Sequence, residues 1–369
     1  MGRKKHLKET LIAVAYFLTL LGLIMILNTS SVSHALKLKN PYSVFLKQLV
    51  WLVISTVIFF LLWELDTQKL RKAIPYAVIV SFLLLILLLI PGITKPVKGA
   101  KRWFFLPGGI SLQPVEFIKI LWVLYLADYL DRHRKQLYDL KILIGPLILL
   151  VFFSFLIFLQ PDFGNTVLFF LIFSIVFFIG KVPVSRILLL ILFIIPFAYW
   201  AVMGTEYRRA RIRAFLSPGE YEKKESYQLM RSLSAIVSGG IIGKGAGSGI
   251  SKLMYLPCAH TDFIFSVICE EFGIIGAVFI LFLYSFFAII GLKMAVACRD
   301  NFSKIAIGGL VSVIGIEAFA NIGVSTGLLP TKGLPLPFVS YGGSNLLASF
   351  IILGLMVSIY IENGERSYL

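Results

Sequence analysis

The chain has 369 residues, of which 58% are hydrophobic and 15% charged, and its mean hydropathy is +0.90. Soluble domains are about 45–50% apolar and about 25% charged, so this composition excludes an ordinary soluble enzyme, a disordered chain and a disulfide-rich scaffold. It predicts a protein that crosses a lipid bilayer several times. The chain has 35 Lys and Arg against 19 Asp and Glu. In a membrane protein, such an excess reflects partly the orientation of the loops and partly the function.

Ten apolar runs of spanning or near-spanning length follow one another along the chain. Several are shorter than the ~20 residues that a spanning helix needs, so their ends are expected to extend into flanking sequence. Because backbone groups find no water in hydrocarbon, each run is predicted to be a helix. The runs are 11–28, 49–65, 76–91, 114–130, 142–159, 167–180, 187–203, 272–297, 305–322 and 346–361. The predicted fold class is an all-α integral membrane protein of about ten transmembrane helices, with a large extracytoplasmic loop at about 204–262 between helices 7 and 8.

The basic residues predict which side of the membrane each loop faces. An even number of spans puts both termini on one side, and the basic start of the chain indicates that this side is cytoplasmic. The first run is too long for a signal peptide and no cleavage site follows it, so it is predicted to be a retained anchor. Two outer segments, 93–113 and 204–262, carry many Lys and Arg against the positive-inside trend. Such a segment either rests on anionic headgroups or binds an anionic substrate.

Charged side chains inside or beside apolar segments are costly and mark candidate sites. Glu116 and Lys119 lie one turn apart on the fourth run, where they either neutralise each other or line a polar cavity. Asp262 follows His260 and Thr261 at the mouth of the eighth run. It either caps that helix, pairs with a basic loop residue, or acts as a general base.

The remaining polar segments are predicted to be structural. Turn chemistry alone accounts for Pro161 and Asp162 between runs five and six. The glycine-rich stretch 239–249 lacks the spacing of a phosphate loop, so its glycines are expected to allow close backbone packing. The four histidines are scattered, and no zinc site is predicted. The proline-rich loop 327–344 is expected to form a covered wall at membrane depth, with Lys332 as its one charge.

Five segments resemble those of a known family. They are KGAKRWFFLPGGISLQPVEFIK (98–119), QPDFGNT (160–166), YQLMRSLSAIVSGGIIGKGAG (227–247), LPCAHTDFIFSVICEEFG (256–273) and GLLPTKGLPLPFVSYGGS (327–344). The strings AHTDFIF and PLPFVSYGGS are highly specific. On them the chain resembles the SEDS family (shape, elongation, division and sporulation), and it is FtsW-like rather than RodA-like because Ala259 precedes His260 and Lys332 stands in PTKG. The resemblance implies one SEDS-type polytopic membrane domain over residues 1–369.

The resemblance implies a peptidoglycan glycosyltransferase that polymerises lipid II into glycan strands on the outer face of the cytoplasmic membrane. The 4-hydroxyl of an acceptor GlcNAc attacks C1 of a donor MurNAc with inversion, and undecaprenyl pyrophosphate leaves. Asp262 matches the family's essential aspartate and is the implied base. Preorganised cations, or a divalent ion such as Mg²⁺ or Mn²⁺ that Asp262 would help to bind, stabilise the leaving group, and no nucleotide cofactor is implied. The candidate substrate- and pyrophosphate-binding residues are Arg102, Glu116, Lys119, Arg208, Arg213, His260, Lys332 and Ser340.

The resemblance also implies partners and a location. The partners are a class B penicillin-binding transpeptidase and other division proteins, without nucleic acid. The location is the cytoplasmic (inner) membrane at the division septum, with both termini in the cytoplasm. A lipid II translocase (flippase), a RodA-type elongation polymerase and a catalytically idle scaffold stay open as alternatives. A translocase needs a polar path across the bilayer, whereas polar residues concentrate here at the outer ends of the runs, which favours the enzyme.

Overall fold

The computed structural model describes residues 2–35, 40–96, 100–107, 110–204, 206–216, 226–250, 256 and 259–365. Over these residues the chain forms twelve α-helices and one two-stranded hairpin. The helices are α1 (Gly2–Ala35), α2 (Ser43–Leu62), α3 (Thr67–Leu89), α4 (Pro114–Arg132), α5 (Ile144–Leu159), α6 (Phe163–Ile179), α7 (Val184–Met203), α8 (Glu206–Leu216), α9 (Tyr227–Gly239), α10 (Ile264–Ala297), α11 (Asn301–Ser325) and α12 (Gly343–Tyr360). The strands are β1 (Phe104–Leu106) and β2 (Ile110–Leu112), and short 3-10 or π-helical turns cover Arg134–Gln136, Leu140–Leu143 and Ile361–Glu365.

The ten apolar runs correspond to ten of these helices, α1 to α7 and α10 to α12. Several helices begin well before their run, as α2 and α3 do, because the apolar residues alone are too few to cross a bilayer. In the part of the chain that the structure describes, seven helical segments are long and apolar enough to span a membrane, and α6 is a shorter apolar helix. The chain is therefore a helical, multi-pass membrane protein.

The centre of the helical assembly is formed by α11 and α12. α11 packs against α4, α6, α10 and α12, and α12 packs against α2 and α4. α2 and α3 instead carry large apolar side chains on the outside, such as Leu61 and Leu83, as lipid-facing helices do. Beside α11, the Trp122 ring of α4 stacks on Phe169 and Phe173 of α6, with centroids 6.2 Å apart in both pairs. This aromatic contact holds α4, which carries Lys119 one turn earlier, in a defined place.

A short hairpin, absent from the sequence-based prediction, precedes α4. β1 and β2 pair antiparallel, with Phe104 opposite Leu112. The hairpin is tied to the start of α12, because the Ser344 hydroxyl donates to the carbonyl of Ser111 (3.2 Å) and accepts from the amide of Gln113 (2.9 Å). The basic segment 93–113 is thereby held against the central helices, although its residues 97–99 and 108–109 lie outside the described ranges.

The stretch predicted as one long outer loop, 204–262, contains α8 and α9. Its residues 205, 217–225, 251–255 and 257–258 lie outside the described residues. After α9, the glycine-rich stretch runs along α10 at a break in that helix, where Gly273 has a φ of +64°. The amide of Ile274 donates to the carbonyl of Gly240, and the amides of Lys244 and Gly245 donate to carbonyls of α10. Each of these three N···O distances is 3.0 Å.

The same stretch surrounds two buried carboxylates of α10. The Glu270 carboxylate binds the Lys244 ammonium (2.8 Å) and the amide of Ile250 (3.0 Å). The Glu271 carboxylate accepts from the amide of Gly247 (3.0 Å) and from the side chain of Asn28 (2.6 Å). Amides that would face a ligand in a phosphate loop therefore bond to the protein's own carboxylates, and the glycines allow the close backbone approach that the sequence predicts.

Candidate active site

The segment that carries Asp262 is joined by hydrogen bonds to the proline-rich loop 327–344, the last outer loop of the predicted topology. The Ser340 hydroxyl donates to the carbonyl of Thr261 (2.5 Å), and the amide of Tyr341 donates to the carbonyl of His260 (2.9 Å). Gln48 of α2, which is buried, donates to the carbonyl of Ser340 (3.4 Å) and accepts from the amide of Gly342 (3.2 Å). Irregular backbone at membrane depth needs such partners. Ser340 thus helps to fix the main chain directly before Asp262.

Asp262 lies just before α10 rather than at its cap. The helix begins at Ile264 and its N-cap residue is Phe263, so helix capping does not account for Asp262. The Asp262 carboxylate lies against Gly333 of the last loop, where a Cβ would stand 2.7 Å from Oδ2. Asp262 is partly exposed, and the His260 ring beside it meets Tyr341 edge-on at 5.7 Å. Any side chain at position 333 would press on the carboxylate.

Lys332, next to Gly333, belongs to a group of charged side chains around the Asp162 carboxylate. Its Nζ lies 3.5 Å from Asp162 Oδ1, and Arg102 Nε lies 3.7 Å from Oδ2. Arg102 also donates to the carbonyls of Gln160 (3.1 Å) and Pro161. The Lys332 side chain passes over Gly164 of α6, where a Cβ would overlap it. The sequence indicates a simple turn at Asp162, but the structure shows a buried carboxylate that gathers the two predicted cations, Arg102 and Lys332.

The charges of this group act on one another. Burial alone would raise the pKa of the Asp162 carboxyl, but the charges of Lys332 and Arg102 and hydrogen bonds from Asn165 hold that pKa below its usual value. Burial lowers the pKa of the Lys332 ammonium to about 8, an effect that Asp162 opposes and that the charges of Lys119 and Arg102 strengthen. The Lys332 Nζ is shielded from solvent and, apart from the ion pair with Asp162, donates no regular hydrogen bond among the described residues.

Glu116 and Lys119 are joined by a third charge, Glu317 of α11. The Lys119 ammonium lies 2.9 Å from Glu116 Oε2 and also binds the Glu317 carboxylate. All three side chains are buried. The predicted pair is therefore two thirds of a triad, and Glu317 is a residue that the sequence reasoning missed. Its position as a lone carboxylate inside an apolar run was the available indication.

Three arginines of α8 have three different kinds of partner. The Arg208 guanidinium lies over the Phe158 ring at 4.4 Å, and Arg213 pairs with Glu206 of its own helix at 3.5 Å. Arg211, which the sequence does not single out among its basic neighbours, donates to the carbonyl of Thr331 (3.0 Å), directly before Lys332. α8 therefore reaches the last outer loop through Arg211.

Within the ranges that the structure describes, no three His, Cys, Asp or Glu side chains converge as a metal site. The described residues therefore do not build a metal cage from their own side chains.

A family model described as a cell cycle protein, FtsW/RodA/SpoVE, matches residues 8–365. The chain belongs to this family. It is 34% identical over 363 residues to a probable peptidoglycan glycosyltransferase FtsW of Geobacter metallireducens, covering 96% of each chain. It is 36% identical over 350 residues to the protein of the same description from Trichlorobacter lovleyi, covering 95% of this chain and 92% of that one. The predicted membership of the SEDS group, on the FtsW side, is confirmed.

Solved structures of the FtsW/RodA/SpoVE type share the fold. A chain from a structure described as "Structural coordination of polymerization and crosslinking by a peptidoglycan synthase complex" superposes with a TM-score of 0.80 at 27% identity, covering 96% of this chain and 97% of that chain. The Thermus thermophilus rod shape determining protein RodA superposes with a TM-score of 0.70 at 25% identity, covering 96% of both chains. The structural similarity extends over nearly the whole chain.

Proposed function

We propose that this chain polymerises lipid II on the outer face of the cytoplasmic membrane, with Asp262 as the base that activates the acceptor. Its family and its FtsW relatives make it a peptidoglycan glycosyltransferase, and they do not favour the translocase or the RodA-type alternative. The observation that carries the role of Asp262 is its contact with Gly333, because this contact sets a partly exposed carboxylate against the loop 327–344 at the residue that follows Lys332 in sequence.

In this proposal one carboxylate serves one proton transfer. Asp262 accepts the proton of the acceptor's 4-hydroxyl as that oxygen attacks C1 of the donor MurNAc. The new C1–O bond forms as the bond between C1 and the pyrophosphate oxygen breaks, and the electron pair leaves with the pyrophosphate. Attack from the face opposite the leaving group inverts C1. The proton on Asp262 then passes to water, which restores the base.

The leaving pyrophosphate gains negative charge, and cations that are already in place stabilise it. We assign this role to Lys332 and Arg102, which share Asp162, and to Lys119, whose charge acts on Lys332. Glu116 holds Lys119, and Ser340 holds the main chain before Asp262. His260, Arg208 and Arg213 are proposed to contact the incoming saccharide and its lipid carrier.

The proposal extends to topology, cation and partners. Ten spans with both termini in the cytoplasm would put Asp262 outside, where the loop 204–262 faces the periplasmic or extracellular space. A divalent cation shared between Asp262 and the substrate pyrophosphate stays a proposal. A class B penicillin-binding transpeptidase at the division septum is the proposed partner, supported by the similarity to a chain of a peptidoglycan synthase complex.

The decisive experiment compares glycan-strand formation by the wild type and by Asp262→Asn, using purified lipid II with the cognate transpeptidase present. The asparagine keeps the shape of the side chain but cannot accept the proton, so the rate is expected to fall by about 10²–10⁴. Asp139→Asn is the matched control, because Asp139 caps a short turn between α4 and α5.

Two outcomes would contradict the proposal. A wild-type rate in Asp262→Asn would remove Asp262 as the base. No polymer from the wild type, with the transpeptidase present, would lead to a lipid II flipping assay in liposomes, since the translocase would then explain the site better.

A further inference from the structure

α11 presents two polar side chains one turn apart, Glu317 and Asn321. Glu317 binds Lys119, as described above. Asn321 is fully buried, and its Nδ2 donates to the main-chain oxygen of Asp262 (2.8 Å) and to that of Leu334 (2.6 Å). A side-chain amide nitrogen carries two hydrogens, so both are used on these two carbonyls.

The two carbonyls flank the contact between the proposed base and the last outer loop. Asp262 carries the carboxylate itself, and Leu334 follows Gly333, against which that carboxylate lies. Ser340 and Tyr341 also join the two segments, but they bind the carbonyls of residues 261 and 260. Asn321 binds the carbonyls of Asp262 and of Leu334, the residue after Gly333, so it links the two segments from the side of α11.

Regular secondary structure does not hold either segment at this point. Residues 259–263 form turns before α10, and residues 330–336 have irregular backbone. Their relative position therefore depends on cross-links, and the buried Asn321 amide is bonded to both segments. Because Asn321 sits on the helix that also carries Glu317, one rigid element sets the place of the base and of the Lys119 group.

We infer that Asn321 is a positioning residue for glycosyl transfer, which holds the Asp262 carboxylate at a fixed place relative to Lys332. The inference rests on the proposed function, because it acts through Asp262. A displacement of about 1 Å between reacting groups can cost about 10²-fold in rate, and groups held by buried hydrogen bonds avoid that loss. Asn321 itself contacts neither the hydroxyl nor the pyrophosphate in this scheme.

The test uses Asn321→Ser and Asn321→Gln in the full-length chain with its transpeptidase. Serine has one hydroxyl donor and can bind only one of the two carbonyls, whereas glutamine keeps both N–H donors on a longer side chain. Polymerisation of fluorescent lipid II gives kcat and KM, and the stoichiometry of lipid II binding counts the folded sites. We expect kcat per binding site to fall about 10–100-fold in Asn321→Ser, with KM near the wild-type value, and to recover partly in Asn321→Gln.

The controls separate positioning from a loss of folded protein. Asn345 of α12 is also buried, and Asn345→Ser removes a buried amide without touching the carbonyls of Asp262 and Leu334, so its kcat per site should equal that of the wild type. A purely structural role for Asn321 would reduce the number of binding sites and leave kcat per site unchanged, which would overturn the inference. If Asn321→Ser does not insert, Asn321→Ala, which donates to neither carbonyl, takes its place, and a wild-type kcat per site in that variant would also overturn the inference.

Asp262→Asn in the same assay separates the role of Asp262 as the base from the role of Asn321 as a positioning residue. An inactive Asp262→Asn together with a wild-type kcat per site in Asn321→Ser would leave the base in place and remove the positioning role alone. A fully active Asp262→Asn would remove the base, and with it a role for Asn321 that acts through the base.

Discussion

Lys332 is a lysine whose charge can be removed at a mild pH. Burial lowers the pKa of its ammonium to about 8, whereas an ordinary lysine has a pKa of about 10.4. A lysine is charged below its pKa and neutral above it. A step that needs the Lys332 cation is therefore fully supported below pH 8 and loses that support as the pH rises through this value.

We expect kcat/KM for lipid II polymerisation to decline as the pH rises, with a midpoint near pH 8, because this ratio reports the ionisation of the free enzyme. In Lys332→Arg the guanidinium stays charged, so the alkaline decline should move to higher pH even if the maximal rate is lower. The measurement is a rate profile from pH 6 to about pH 10 for both proteins. An alkaline decline at the same pH in Lys332→Arg would exclude Lys332 as its origin.

The residues that sequence reasoning found are those whose charge is conspicuous in an apolar setting. Asp262, Lys119 and Lys332 stand out in this way, and the structure places each in a defined charged or polar environment. Asp162 and Asn321 do not stand out. A turn explains Asp162 locally, and nothing in the chain around Asn321 reveals that its partners come from two distant segments.

At the scale of elements, the Glu116–Lys119–Glu317 triad joins α4 to α11 inside the helical assembly. Removing one partner of a buried ion pair leaves an uncompensated charge, which costs about 3–5 kcal/mol. The triad has two carboxylates around one ammonium, so loss of the ammonium leaves two such charges near each other.

Lys119→Met should therefore lower the free energy of unfolding by about 3–5 kcal/mol or more, as measured by thermal or denaturant unfolding of the purified protein. Adding Glu317→Gln should restore part of this loss, because it removes one of the stranded carboxylates. Lys293→Met, on an exposed position of α10, is the control and should change stability by less than about 0.5 kcal/mol. Equal losses at positions 119 and 293 would show that the triad contributes little to stability.

The elements were predictable where hydrophobicity alone decides them. All ten apolar runs are helical, because a backbone in hydrocarbon must bond within its own segment. The hairpin before α4 and the break at Gly273 were not predictable, since both depend on partners from elsewhere in the chain. Ser344 anchors the hairpin, and Gly240 supplies a carbonyl to the break.

At the scale of the whole molecule, the proposed function requires that the two charged groups and Asp262 face outward. Cysteines placed at exposed positions can report this. Gln136 lies in the turn after α4, and Ala246 lies in the glycine-rich stretch after α9. Cys269 and Cys298 are free and buried, and Cys258, which lies outside the described residues, is replaced by alanine in the background.

We expect a membrane-impermeant maleimide to label Ala246→Cys in intact cells, and to label Gln136→Cys only after the membrane is opened. The basic residues beside Gln136 should remain in the cytoplasm under the positive-inside rule. Labelling in the reverse order would place the site on the cytoplasmic side, where the proposed polymerisation could not occur.

The two charged groups contain equal numbers of basic and acidic side chains. Arg102, Lys119 and Lys332 supply three positive charges, and Glu116, Asp162 and Glu317 supply three negative ones. In the proposed reaction, a diphosphate that binds Lys332 and Arg102 would compete there with the Asp162 carboxylate. The same carboxylate competes again when the diphosphate has become the product. Under the proposed function, this competition would limit how long the used lipid carrier is retained and would favour repeated turnover over tight product binding.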